Sequence, residues 1–182
     1  KIFKVAMTLL AIIGLILSVA LFFNAAAFSQ TFKNPGSYLA VLAVSPAIFT
    51  VSISGAFRGY FQGMQNMTPS AVSQVTEQIS RVLVGIVLAY LLLPLGFETS
   101  AAGAIFGTTA GGLVSFLTLY AIYMRKKKMI KADLIRFKGR ETESIGSIIN
   151  RIIKFSLPIM IGGSIMPIMS LMDNYIVMDR LL

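Results

Sequence analysis

The stretch 57–85, FRGYFQGMQNMTPSAVSQVTEQISRVLVG, decides how the chain is read. Gln74, Glu77, Gln78 and Arg81 recur at i, i+3, i+4 and i+7, so they lie over successive turns on one face of an α-helix. The same helix ends in the apolar run 82–93, which belongs in a membrane. An ionised side chain at bilayer depth costs roughly 2.5–3.5 kcal/mol on insertion scales, so the polar face must meet something wetter than lipid. A water-filled cavity between helices answers that need, with Glu77 and Arg81 paired at i, i+4. A purely structural clamp is the other reading of the pair.

Outward from this helix, the composition is that of an integral membrane protein. Of 182 residues, 56% are hydrophobic and 13% charged, and the apolar residues fall in blocks near the roughly 20 needed to cross a bilayer. The chain has no cysteine and no histidine, which removes thiol nucleophiles, disulfides, imidazole bases and the common zinc sites. No catalytic residue, metal site or cofactor is expected. The net charge of +9 is not read as a nucleic-acid signal, because eight of the sixteen basic residues crowd between Arg125 and Arg140 beside a span.

Five transmembrane helices are predicted, at about 5–23, 38–57, 70–93, 101–124 and 152–178. Residues 24–37 read as a loop, with turn chemistry at Asn34, Pro35 and Gly36. Pro46 is expected to kink the second span. Arg58 is placed at the membrane edge, and Thr68 and Pro69 read as the N-cap and first position of the third span. Phe97 to Thr99 reads as a short loop. Two glycine series at four-residue spacing, Gly55, Gly59, Gly63 and Gly103, Gly107, Gly111, are candidate helix-packing faces.

Residues 125–147 form a basic linker, read as a loop with an amphipathic helix; topology or anionic lipid accounts for its charge. In the fifth span Pro158, Gly162, Gly163 and Pro167 mark a hinge in a bent or broken helix. Asp173 lies about 27 Å beyond Phe155 at 1.5 Å per residue, as a boundary carboxylate or an ion or gate position. Thirteen basic residues collect on one side of this topology and only Lys33 and Arg180 on the other, which puts the first residue in the cytoplasm and the last outside. The chain enters its first span almost at once, without a signal-peptide cleavage pattern, and ends just after a span. We read it as an internal piece of a longer membrane protein.

The run RGYFQGMQNMTPSAVSQVTEQISR, together with the basic linker and FSLPIMIGGSIMPIMSLMDNYIV at 155–177, resembles bacterial polysaccharide-biosynthesis and stage V sporulation protein B-type membrane proteins. These belong to the multidrug/oligosaccharidyl-lipid/polysaccharide exporter superfamily, which includes lipid II flippases. The resemblance implies an all-α fold of two helix bundles, about twelve to fourteen helices in all, in the bacterial cytoplasmic membrane. Residues 1–124 would supply four helices of the first bundle, 125–147 the linker and 148–182 the first helix of the second. It implies alternating-access flipping or export of an undecaprenyl-pyrophosphate-linked saccharide or peptidoglycan precursor, with membrane lipids and the remaining helices of the parent as partners.

Gln74, Glu77, Gln78, Arg81 and Arg58 are the candidate cavity residues, the two arginines read from the residues themselves as an anion-attracting mouth. A cation-coupled multidrug exporter and a non-transporting scaffold for cell-envelope enzymes are the alternatives. An enzyme is not expected, since Asp133, Glu141 and Glu143 make no convincing catalytic set.

Overall fold

A computed structural model of the chain describes residues 2–31, 35–136 and 145–181. All regular structure in it is helical: α1 (Ile2–Phe23), α2 (Ala25–Thr31), α3 (Tyr38–Gly63), α4 (Thr68–Leu92), α5 (Phe97–Arg136) and α6 (Ile145–Leu181), with 3₁₀ turns at Pro35–Ser37 and Leu93–Leu95. Four helices are long and apolar enough to cross a membrane, and a fifth span results if the bent α6 is counted as one. The protein is an all-α, multi-pass membrane protein. It divides into two compact units, Phe3–Arg140 and Glu141–Leu182.

In the first unit, α5 packs along both α4 and α3, and its glycines explain how closely. A Cβ built on Gly107 would lie 2.5 Å from the Arg81 carbonyl and 2.8 Å from the Gly85 Cα. At Gly103 it would come within 3.1 Å of the Leu88 carbonyl, and at Gly111 within 2.7 Å of the Glu77 carbonyl. Absent side chains thus bring the α5 backbone against the α4 backbone over two turns, the contact that drives association where lipid offers no hydrophobic gain. Gly112 faces the other way and takes the Thr50 hydroxyl of α3, while Thr109 donates from Oγ1 to the Ala43 carbonyl at 2.6 Å.

Helix α1 joins the unit in the same manner, Gly14 lying against Ser52 and Ser18 Oγ donating to the Ser45 carbonyl at 2.8 Å. Where the helices carry large residues instead, an aromatic core forms. Phe57, Phe61 and Leu119 are buried at its centre, with Phe3, Tyr60, Phe116 and Tyr123 packed around them. Ring centroids of Phe3 and Tyr60 are 4.3 Å apart, and those of Phe57 and Tyr123 5.6 Å apart. The start of α1, the last turns of α3 and the 116–123 stretch of α5 therefore meet in one cluster.

Several sequence expectations change. Residues 25–31 are not loop but the helix α2, favoured by three consecutive alanines and by a buried Ala25. Helix α3 runs on past Phe57 to Gly63, so Arg58 stands inside the helix. Met67, not Thr68, takes the N-cap position of α4, without a side-chain cap bond. Pro94 and Gly96 do end that span, through a 3₁₀ turn and a Gly96 φ of 120° that favours glycine.

Phe97 to Thr99 already belong to α5, and α5 continues through Arg125–Lys128 to Arg136, so the membrane exit does not interrupt the helix. The remainder of the linker to residue 144 lies outside the described residues.

In the second unit, α6 is a 37-residue helix that contains Pro158 and Pro167. Its segments Ile149–Pro158 and Met160–Ser170 are bent by 42°. The bend thus falls beside Pro158, which lacks the N–H of the helical pattern and whose ring clashes with the preceding turn. Asp173 is exposed on this helix.

The backbone contact of α4 with α5 carries a direct test. Gly107→Ala should cost about 1–3 kcal/mol by overpacking, read as a lower melting temperature of the detergent-solubilised full-length protein. Gly112→Ala should cost less, because its obstacle is a hydroxyl that can rotate away.

Candidate functional site

Helices α3, α4 and α5 converge on one carboxylate. Glu77 is 7% exposed, and each of its oxygens takes a different guanidinium. Arg81, one turn along α4, donates from an Nη to Oε1 at 3.0 Å. Arg58, from α3, donates to Oε2. The Arg58 guanidinium also reaches Ser115 of α5 at 2.7 Å and, through Nε, Ser73 of α4 at 3.3 Å. Ser73 and Ser115 are both fully buried, and Ser73 in turn donates to the Ser70 carbonyl at 2.8 Å.

The local sequence explains the convergence. Ser73, Glu77, Arg81 and Gly85 follow one another at four-residue spacing on the α4 stripe that faces α5. Ser115 continues the α5 series Gly103, Gly107, Gly111 by one further turn, so the stripe of small residues ends in a hydroxyl beside the charged cluster. Close backbone packing places that hydroxyl, and α3 supplies the second cation because it continues past Phe57.

Two positive charges and one negative leave the cluster with a formal surplus of +1. Burying an ion pair is worthwhile only when further hydrogen bonds engage the remaining donors, and Ser73 and Ser115 do this for Arg58. The Nε of Arg81 is buried without a partner among the described residues, as are the hydroxyls of Ser54 and Ser70.

A cavity of about 470 Å³ opens beside the cluster, lined by Arg58, Gln74, Val75, Glu77, Gln78 and Ile79. The structure thus brings Gln74, Glu77, Gln78 and Arg58 to one cavity wall. Arg81 is not among the lining residues and touches the cavity only through Glu77. Gln74 and Gln78 are exposed, presenting two carboxamides one turn apart.

The glycines divide. Gly103, Gly107 and Gly111 support the site from α5, whereas Gly55, Gly59 and Gly63 meet no atom within 4 Å, so their expected packing partner is not found among the described residues. Asp173 belongs to the other unit.

Sequence reading found the Glu77–Arg81 pair and named Ser115 only as a general hydrogen-bonding position, and it missed Arg58 as the second cation and Ser73. The signals were present: an arginine inside an apolar helix demands a carboxylate, and Ser73 and Ser115 stand in register with the stripes they extend.

With this geometry in hand, comparison with known proteins is informative. A profile of the polysaccharide biosynthesis protein family matches residues 4–182. The chain belongs to that family. It is 37% identical over 128 residues to stage V sporulation protein B of Bacillus subtilis (strain 168), covering 70% of this chain and 25% of the relative. The uncharacterized membrane protein YabM of that organism is 28% identical over 179 residues, 94% of this chain and 32% of YabM. Its lipid II flippase MurJ is 25% identical over 186 residues, 96% of this chain and 34% of MurJ. The chain therefore spans a quarter to a third of the length of these relatives. No solved structure matches it significantly.

Removing members of the cluster should destabilise unequally. Glu77→Ala strands two cations and should cost the most, about 3–5 kcal/mol. Arg58→Ala leaves Glu77 its Arg81 partner and should cost less. Arg81→Ala, at a side chain 36% exposed, should cost least. Thermal unfolding of the solubilised full-length variants by circular dichroism checks the order.

Proposed function

We propose that the full-length protein is a membrane transporter that flips or exports a lipid-linked saccharide, of the undecaprenyl-pyrophosphate class, by alternating access. The observation that carries this reading is a cavity whose wall holds Arg58, Glu77 and the carboxamides of Gln74 and Gln78, with Arg81 paired to Glu77 behind it, set among helices otherwise suited to hydrocarbon. Moving such a substrate means carrying a polar, anionic headgroup across about 30 Å of apolar core while its tail stays in lipid. Guanidiniums suit the phosphates, since they present forked donors to oxyanions. Carboxamides such as Gln74 and Gln78 suit sugar hydroxyls, because each both donates and accepts.

The relatives support the same reading, one of them bearing the name lipid II flippase. In this view the α3–α4–α5 packing is the stiff wall of the cavity and the Pro158 bend is a hinge between bundles. The first residue lies in the cytoplasm, and the remaining helices of the parent complete the cavity. The protein makes no bonds; it moves a finished precursor.

A cation-coupled exporter needs an intramembrane carboxylate free to take the ion, and both oxygens of Glu77 are engaged. The scaffold reading draws on the open Gly55, Gly59 and Gly63 stripe, which offers a close-packing face. Cells depleted of the full-length protein separate these readings. Lipid-linked saccharide precursors should accumulate and be cleared by wild type but not by a normally inserted Arg58→Ala protein. Equal rescue by both, without accumulation, would favour the scaffold.

A further inference from the structure

Glu77 is an unexpected presence in a cavity meant for an anionic headgroup. It lines the same wall as Arg58, and its Oε2 holds the very guanidinium that such a headgroup would seek. We infer that Glu77 is a built-in competitor: its carboxylate occupies Arg58 when the cavity holds no headgroup, and an incoming phosphate must take Arg58 from it. This rests on the transport reading above and assigns a regulatory role within that site.

The geometry makes the exchange feasible because Glu77 has a second partner. When a phosphate draws Arg58 away, the carboxylate keeps Arg81 through Oε1 and is never left as an unpaired buried charge, the outcome that would make release of Arg58 prohibitive. Charge balance points the same way. The cluster of Arg58, Glu77 and Arg81 carries a surplus of +1, so one negative charge from a phosphate neutralises it. Ser73 and Ser115 contact Arg58 from α4 and α5, and they keep the guanidinium in the wall while its anionic partner changes.

A transporter gains from this arrangement. Binding must be favourable enough to load the headgroup and weak enough to release it on the far side. A resident carboxylate lowers apparent affinity by the fraction of time it holds the site. If Arg58 is free about a tenth of the time, the apparent dissociation constant rises about tenfold over that of the bare guanidinium. Any phosphate at Arg58 also meets the Glu77 charge at short range, and that repulsion has the same sign.

The unusual consequence is that neutralising a buried acidic residue should tighten binding. The test uses the full-length protein in phosphatidylcholine nanodiscs, with farnesyl pyrophosphate as the probe and farnesol as its neutral control, titrated calorimetrically. Wild type should prefer the pyrophosphate. Glu77→Gln should bind it about tenfold more tightly, and Arg58→Gln at least about tenfold more weakly. Arg81→Gln provides an independent arm should Glu77→Gln fail to fold: it removes the second partner, leaves Glu77 fixed on Arg58, and should weaken binding although Arg81 does not line the cavity.

Pyrophosphate preference in wild type with unchanged or weaker binding by Glu77→Gln would overturn the competitor role alone. Arg81→Gln binding like wild type would also overturn it. No preference for pyrophosphate over farnesol in wild type would overturn the anionic-headgroup reading and this inference with it. Abolition of the preference in phosphatidylglycerol nanodiscs would assign the site to bulk anionic lipid and overturn both.

Discussion

Everything in the first unit answers to the burial of one carboxylate at the meeting of three helices. A lone ionised Glu77 in that position would be intolerable, and the helices are arranged so that it is never alone. Two guanidiniums from different helices pair with it, and two buried hydroxyls accept further hydrogen bonds from one of them. That solution requires α3, α4 and α5 to be held at fixed separation, since a shift of an ångström would unmake hydrogen bonds in a medium where nothing replaces them. The small residues of α5 provide the fixed separation. Because Gly107 sits against the backbone of Arg81 and Gly85, the α4–α5 distance is set by main chain rather than by adaptable side chains.

Where the helices do not carry charge, they carry rings, and the two regions divide the work. The aromatic cluster of Phe3, Phe57, Tyr60 and Tyr123 fills space between α1, α3 and α5. The ion cluster depends on hydrogen bonds that weaken steeply with distance and angle, so it tolerates little displacement. Arg58 follows Phe57 directly in α3, so one turn of helix ties both: the ring anchors the backbone and the guanidinium spans to α4. The continuation of α3 to Gly63 is thus a requirement of the site, not an incidental extension of a span.

How much of this was legible in the sequence depended on whether the signal was local. Helices of spanning length, the i, i+4 pairing of Glu77 with Arg81 and the break at Pro94 and Gly96 are written in short-range spacing, and they could be read directly. The partnership of Arg58 with Glu77 crosses between helices, and no periodicity within either one announces it. The two glycine series have identical spacing, yet Gly103, Gly107 and Gly111 meet α4 while Gly55, Gly59 and Gly63 meet nothing described. A small-residue stripe records that an approach is permitted, not which helix makes it. The basic run Arg125–Lys128 reads as the end of a span, yet lysine and arginine are good helix formers, so α5 continues past it.

The surplus positive charge follows from these constraints and gives the site its chemistry. Pairing one carboxylate with one arginine would have produced a neutral clamp, sufficient to hold two helices together. Arg58 already ties α3 to α4 and α5, whereas Arg81 lies on the same helix as Glu77, joins no further element, and introduces a charge that hydrocarbon cannot accept. Such a cluster is electrically incomplete until water or an anion faces it, and the cavity lined by Gln74 and Gln78 lies on the side where Arg58 and Glu77 are accessible. Structural economy alone does not account for the second cation. The binding and release of a negative group proposed for this site does account for it.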